Sequence, residues 1–289
     1  MNRGCLPPGH PLAALLLLFL AIAALPAGAQ ERPFPYAVGR QDALFLPAGV
    51  GLSLLGDRLG RDHDPLTLVE IAGLGPEDVN AFDRSATRNW SSTWADRSDL
   101  GRDAILGASV LVSFAPQVSK VLDGRWREAT TLGVLFVESA FLVGGTTLVV
   151  KGLAGRRRPY VYNESLPADE RLALARSAGD DVFRSFFSGH SSAAFATAAL
   201  MSTIYTDLHG RTRASYALWA GSMSVAALTG YARVKAGQHY PTDVLVGAAV
   251  GTAIGWLVPA LHRADRKTPV EVQAGPRGFA FRIPWSPGR

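Results

Sequence analysis

One cysteine, Cys5, is present in 289 residues, so neither a disulfide nor a thiolate metal site is available. Charge is also scarce. Only 18% of the residues are charged, and the net charge of +5 is not gathered into a long basic run. A nucleic-acid partner is therefore not expected. The one dense cationic cluster is Arg156-Arg157-Arg158. From residue 104 to 262 no strand-like alternation occurs, which excludes a β-rich core and predicts an all-α domain. No cysteine follows the N-terminal apolar run, so a lipoprotein acylation residue is missing.

Apolar residues, at 48%, are plentiful. The first segment reads as an address: Arg3, the apolar stretch Leu12 to Leu25, then Ala27-Gly28-Ala29 as an A-x-A cleavage site. Residues 1–29 are thus expected to be a signal peptide, and the protein to be exported to a bacterial cell envelope. Residues 30–103 read as a polar region with short helices, 104–263 as a helical core, and 264–289 as a tail. In that tail Val270, Val272, Phe279, Phe281 and Ile283 alternate around Gly275 to Gly278, the pattern of a short C-terminal β-hairpin.

Helices are predicted near 104–122, 128–151, 190–207, 213–233 and 242–262. The uncharged runs Ala214 to Ala232 and Val244 to Leu261 approach the roughly 20 residues that cross a bilayer. Glu138, in the middle of another apolar helix, needs either a bundle-facing polar role or a soluble core. Asp243, Gly247, Gly251 and Gly255 recur every fourth residue on one helix face, as do His190, Ala194 and Ala198 on an earlier helix. Close packing of these two helices, with His190 near Asp243, is expected. Residues 160–187 form a polar insertion that reads equally as a lid or a plain connector. His63, between Asp62 and Asp64, reads as a solvated loop.

Three separated segments carry the chemistry. Lys151 is followed after six residues by Arg158-Pro159, and the two cations can grip one oxyanion. Ser188-Gly189-His190 starts a helix, where a capping hydroxyl and free amides suit an anion. Arg233 is followed by His239 and, one helical turn on, by Asp243, a spacing that lets the carboxylate hold one ring nitrogen and free the other. Each segment alone has a bland reading: a helix-end charge, a turn, a surface ion pair. Together they supply three cations, a hydroxyl and two histidines, the set that metal-free phosphoryl transfer requires.

The combination resembles the signature of the type 2 phosphatidic acid phosphatase and vanadium haloperoxidase superfamily over about residues 100–262. That signature is Lys, six residues, Arg-Pro; then Pro-Ser-Gly-His; then Ser-Arg, five residues, His, three residues, Asp. Two positions depart from it, Phe187 for Pro and Ala232 for Ser. The resemblance implies a helical bundle of that superfamily's kind. It implies that Lys151, Arg158, Ser188, Gly189 and Arg233 bind phosphate, that His239 attacks phosphorus, that Asp243 orients it, and that His190 protonates the leaving group. Neither a metal nor another cofactor is implied. The expected substrate is a phosphomonoester or pyrophosphate, above all a lipid phosphate, met at the periplasmic face of the cytoplasmic membrane. A soluble periplasmic acid phosphatase of broad specificity is the alternative, and a vanadate-dependent haloperoxidase a more distant one.

Overall fold

The computed structural model describes residues 32–39, 42–60 and 63–264, together with the backbone of 271–275 and 278–282. The expected signal peptide lies outside the described residues. The α-helices among them are α1 (Asp42–Leu59), α2 (Leu68–Ala72), α3 (Ser92–Phe114), α4 (Val118–Leu122), α5 (Arg127–Ala154), α6 (Ala168–Ala178), α7 (Gly189–His209), α8 (Arg213–Lys235) and α9 (Pro241–Leu261). The fold is all-α, as the missing alternation predicts. The expected C-terminal hairpin is not supported as part of it. Among the described residues, 271–275 and 278–282 pair antiparallel only with each other, and an isolated two-stranded ribbon is marginal in water.

α7 is the central helix, packed against α3, α5, α8 and α9. Its buried face is built from Ala, Ser and Thr with Leu200, Met201 and Ile204, and such small residues allow close neighbours. The closest is α9. A Cβ on Gly247 would lie 2.7 Å from the Ser188 carbonyl oxygen, one on Gly251 2.2 Å from that of Ser192, and one on Gly255 2.1 Å from that of Ala196. The glycine stripe therefore lies directly on backbone. The row it meets is Ser188, Ser192 and Ala196, not the expected His190, Ala194 and Ala198. Two residues are about 200° apart around a helix, so His190 turns away from α9. Ala194 and Ala198 pack instead with Ile105 of α3 and Ala226 of α8.

Two other expectations are corrected. The helix placed near 104–122 starts earlier, at Ser92, because the Ser91 hydroxyl accepts from the Trp94 amide (3.4 Å) and caps it. Its end is divided by a 3-10 turn at Ala115–Gln117 that contains Pro116. Within the region expected to hold only short helices, α1 runs for 18 residues. It is seated against α5 so closely that a Cβ on Gly56 would lie 2.3 Å from the Leu148 backbone.

Among the described residues, three helical stretches are long and apolar enough to cross a membrane: Ser92–Leu122, Arg127–Tyr162 and Pro241–Leu261. They are compatible with membrane association. α8 is not one of them, although it is uncharged from 214 to 232; Ser215, Ser222, Ser224 and Thr229 lower its hydropathy. Leu245, Trp256, Leu257 and Leu261 on α9 are exposed apolar side chains, the pattern of a helix with an apolar environment on its outer face.

Candidate functional site

The three motifs converge where the start of α7, the start of α9 and the ends of α5 and α8 meet. Gly237 makes the turn from α8 into α9 with a φ of +70°, and a Cβ there would lie 2.2 Å from the Asn89 carbonyl oxygen. That turn delivers His239, which is 1% exposed. Its Nδ1 is 2.8 Å from the Ser185 carbonyl oxygen. A carbonyl only accepts, so Nδ1 carries the proton and Nε2 keeps its lone pair.

Asp243 Oδ2 lies 3.5 Å from the same nitrogen, a neighbour rather than a hydrogen-bond partner. The carboxylate is engaged elsewhere. As the third residue of α9 it reaches back to the Tyr240 amide (3.0 Å). It also accepts from the Ser185 hydroxyl (2.6 Å) and from Arg156 Nη1 (2.6 Å). Asp243 thus holds Ser185, whose carbonyl holds the histidine. Behind it, Arg156 lies over the Tyr240 ring at 3.8 Å and pairs with the buried Asp83 (2.7 Å). Asp83 in turn accepts from the Thr242 amide and hydroxyl (3.0 and 2.6 Å).

Lys151, Arg158 and Arg233 are buried, with at most 9% of their surface exposed. Lys151 Nζ donates to the Arg184 carbonyl (2.7 Å). Arg158 is fully engaged: Nε and Nη2 donate to the Asp181 carbonyl and carboxylate (2.9 and 2.5 Å), and Nη1 to Gln238. Arg233 Nη1 reaches the Ser98 hydroxyl (3.3 Å), while its buried Nε has no partner. Burial first, and then the charges of Arg158, Lys151 and Arg233, hold His239 well below the usual histidine pKa. The ring is neutral at pH 7, with a free Nε2 among cations. Arg233 is lowered to about 10 by burial and by Arg158, and stays charged.

Ser188 caps α7, its hydroxyl accepting from the Ser191 amide (3.3 Å) and hydroxyl (3.0 Å). Its amide donates to the Asp243 carbonyl (3.0 Å) and so fixes the two helix starts together. Gly189 has free space around it: a Cβ added there would have Thr147 Cγ2 as its nearest atom, at 3.5 Å. His190 faces α3, with Nε2 2.6 Å from Asp99 Oδ1 and 2.8 Å from Arg102 Nη1. A protonated Nε2 donates to Asp99 and a bare one accepts from Arg102, so the two contacts serve the two protonation states. Burial and Arg233 press its pKa down to about 4, against the opposing pull of Asp99.

Residues 132–267 match the family model of the PAP2 superfamily. That match is consistent with the type 2 phosphatidic acid phosphatase superfamily. No curated protein and no solved structure matches it. Members of that superfamily are generally phosphatases, and the match suggests phosphatase-type activity on phosphorylated substrates. Asp83, Asp99 and Arg102 all lie upstream of the residues matched to the PAP2 family, yet they contact the motif residues.

Several of these residues carry no motif signal. Ser185, Asp181 and Gln238 act through loops whose contacts depend on the tertiary fold. Asp99, Arg102 and Asp103 do leave a trace, a charged cluster on a helix that is otherwise apolar toward its C-terminal end. His63 is not in a solvated loop: it stacks on Phe183 with ring centroids 4.4 Å apart.

Proposed function

We propose that this protein is a PAP2-type phosphatase that hydrolyses a lipid phosphomonoester or pyrophosphate through a phosphohistidine at His239, at the periplasmic face of the cytoplasmic membrane. One observation carries the reading: His239 is buried and neutral, with Nδ1 committed to a carbonyl, and Lys151, Arg158 and Arg233 act on the same ring. Nε2 attacks phosphorus as the bond to the leaving oxygen breaks, and that oxygen takes the Nε2 proton of the acid form of His190, the form favoured at low pH. Water then attacks the phosphohistidine, giving its proton back to His190 and releasing phosphate. The cations stabilise the charge on the equatorial oxygens throughout. The exposed apolar surface of α9 supports a lipid substrate over a soluble one.

In the resting protein the Asp181 carboxylate occupies the guanidinium fork that phosphate needs, and substrate must displace it. Vanadate, which adopts the five-coordinate geometry of the transition state, is expected to inhibit competitively. Asp181→Asn is expected to bind vanadate more tightly by removing the internal competitor. Inhibition constants from initial rates check both; no inhibition by vanadate at millimolar concentration would reject the site.

Asp99 raises the pKa of His190, so its removal lowers that pKa, and the acid form is then lost at lower pH. In Asp99→Asn the descending limb of kcat/KM on an alkyl phosphate is expected to move to lower pH. A loss of rate with an unmoved limb would assign Asp99 a structural role only.

A further inference from the structure

Glu138 takes no part in the phosphate site. Thirteen residues along α5 separate it from Lys151, about 20 Å of helix rise. It meets Asp42, which opens α1, and His262, which follows α9. These three are 0%, 5% and 2% exposed, and one ligand atom from each lies within 4.8 Å of the others. His262 Nε2 contacts Asp42 Oδ1 and lies 3.2 Å from Glu138 Oε2.

The orientation of the ring is fixed from behind. His262 Nδ1 lies 2.7 Å from the Val258 carbonyl oxygen, so it carries the ring proton. Nε2 faces both carboxylates, where a neutral ring would present its lone pair to an ion held between them. This is how metal-binding histidines are held, with the second nitrogen donating to a carbonyl. Both Glu138 oxygens are buried, and they face only Asp42 and His262 among the charged groups described. Among the described residues, the ion pairs of Asp42 and Glu138 are with His262 alone. Two ionised carboxylates beside a neutral imidazole would carry a charge of −2 in a buried site, and a divalent cation would cancel it.

We propose that Asp42, Glu138 and His262 bind one divalent cation. One imidazole and two carboxylates match the borderline nitrogen-and-oxygen preference of zinc. The ion would be structural. It would pin the start of α1 to the middle of α5 and the end of α9, where the chain segment before α1 already pairs with the one after α9 (Ala37 amide to His262 carbonyl, 3.0 Å). It would take no part in turnover.

The test uses the full chain, with metal content measured by mass spectrometry and Tm recorded with chelator and after zinc is added back. The expected result is about one zinc ion per chain at saturation, a Tm that falls on chelation and recovers with zinc, and phosphate release at low temperature that is unchanged. Glu138→Gln, which keeps the side-chain volume, is expected to bind zinc roughly tenfold or more weakly and to lose the zinc-dependent rise in Tm. If the parent binds no ion and its Tm ignores zinc and chelator, the three groups share protons instead and the proposal is overturned. It is equally overturned if zinc raises the Tm of Glu138→Gln as much as that of the parent.

Discussion

His239→Ala is expected to lower turnover by roughly 10⁴-fold or more, the scale on which losing a catalytic nucleophile acts. The loss should fall on kcat rather than on vanadate affinity, because Lys151, Arg158 and Arg233 remain. His239 is fully buried and its Nδ1 proton satisfies the Ser185 carbonyl, so alanine also leaves a cavity and an unpaired acceptor. His239→Gln fills most of that volume and separates the two effects. If either variant is folded by circular dichroism and retains activity near that of the parent, another residue is the nucleophile. Trapping the phosphoprotein in alkali gives an independent reading, with label expected on the parent and absent from both variants.

The second large effect depends on the leaving group. An alkyl oxygen must collect a proton as its bond to phosphorus breaks, whereas a nitrophenolate leaves without one. His190→Ala is therefore expected to cut alkyl phosphate hydrolysis by roughly 10²-fold or more and to harm a nitrophenyl phosphate far less. His239→Ala should damage both substrates alike, since attack is common to them. The side chain of His190 is 22% exposed, and α7 is capped by Ser188 rather than by His190, so the variant is expected to fold. Equal losses on the two substrates would make His190 a further phosphate ligand instead of the acid.

The all-α class is legible in the sequence because hydrophobic period and glycine spacing are local properties of a helix. The match of residues 132–267 to the PAP2 family rests on the same part of the chain that holds the three motifs. The contacts around those motifs are less legible. The spacing of His239 and Asp243 predicts a direct hydrogen bond, whereas the carboxylate turns to the Tyr240 amide and to Ser185. Helical spacing brings two side chains near each other but does not choose between competing donors. The alanine period matches the glycine period and so predicts His190 against α9; the row that meets the glycines begins two residues earlier. Asp99 and Arg102 are 91 and 88 residues from His190, and Asp42 is 220 residues from His262. No periodicity spans such distances, and only the fold brings those side chains together.

The glycine seam between α7 and α9 also limits how this protein can change. Replacing an exposed helical glycine with alanine usually stiffens a chain at little cost. At Gly247, Gly251 and Gly255 the same exchange would force two backbones apart, and those backbones carry His190 and His239. The separation of the two histidines is thus set by main-chain contact, leaving side-chain repacking little room to adjust it. Adaptation to a new leaving group is left to parts that touch the site without being welded into it: the segment around Asp181, and the face of α3 that bears Asp99.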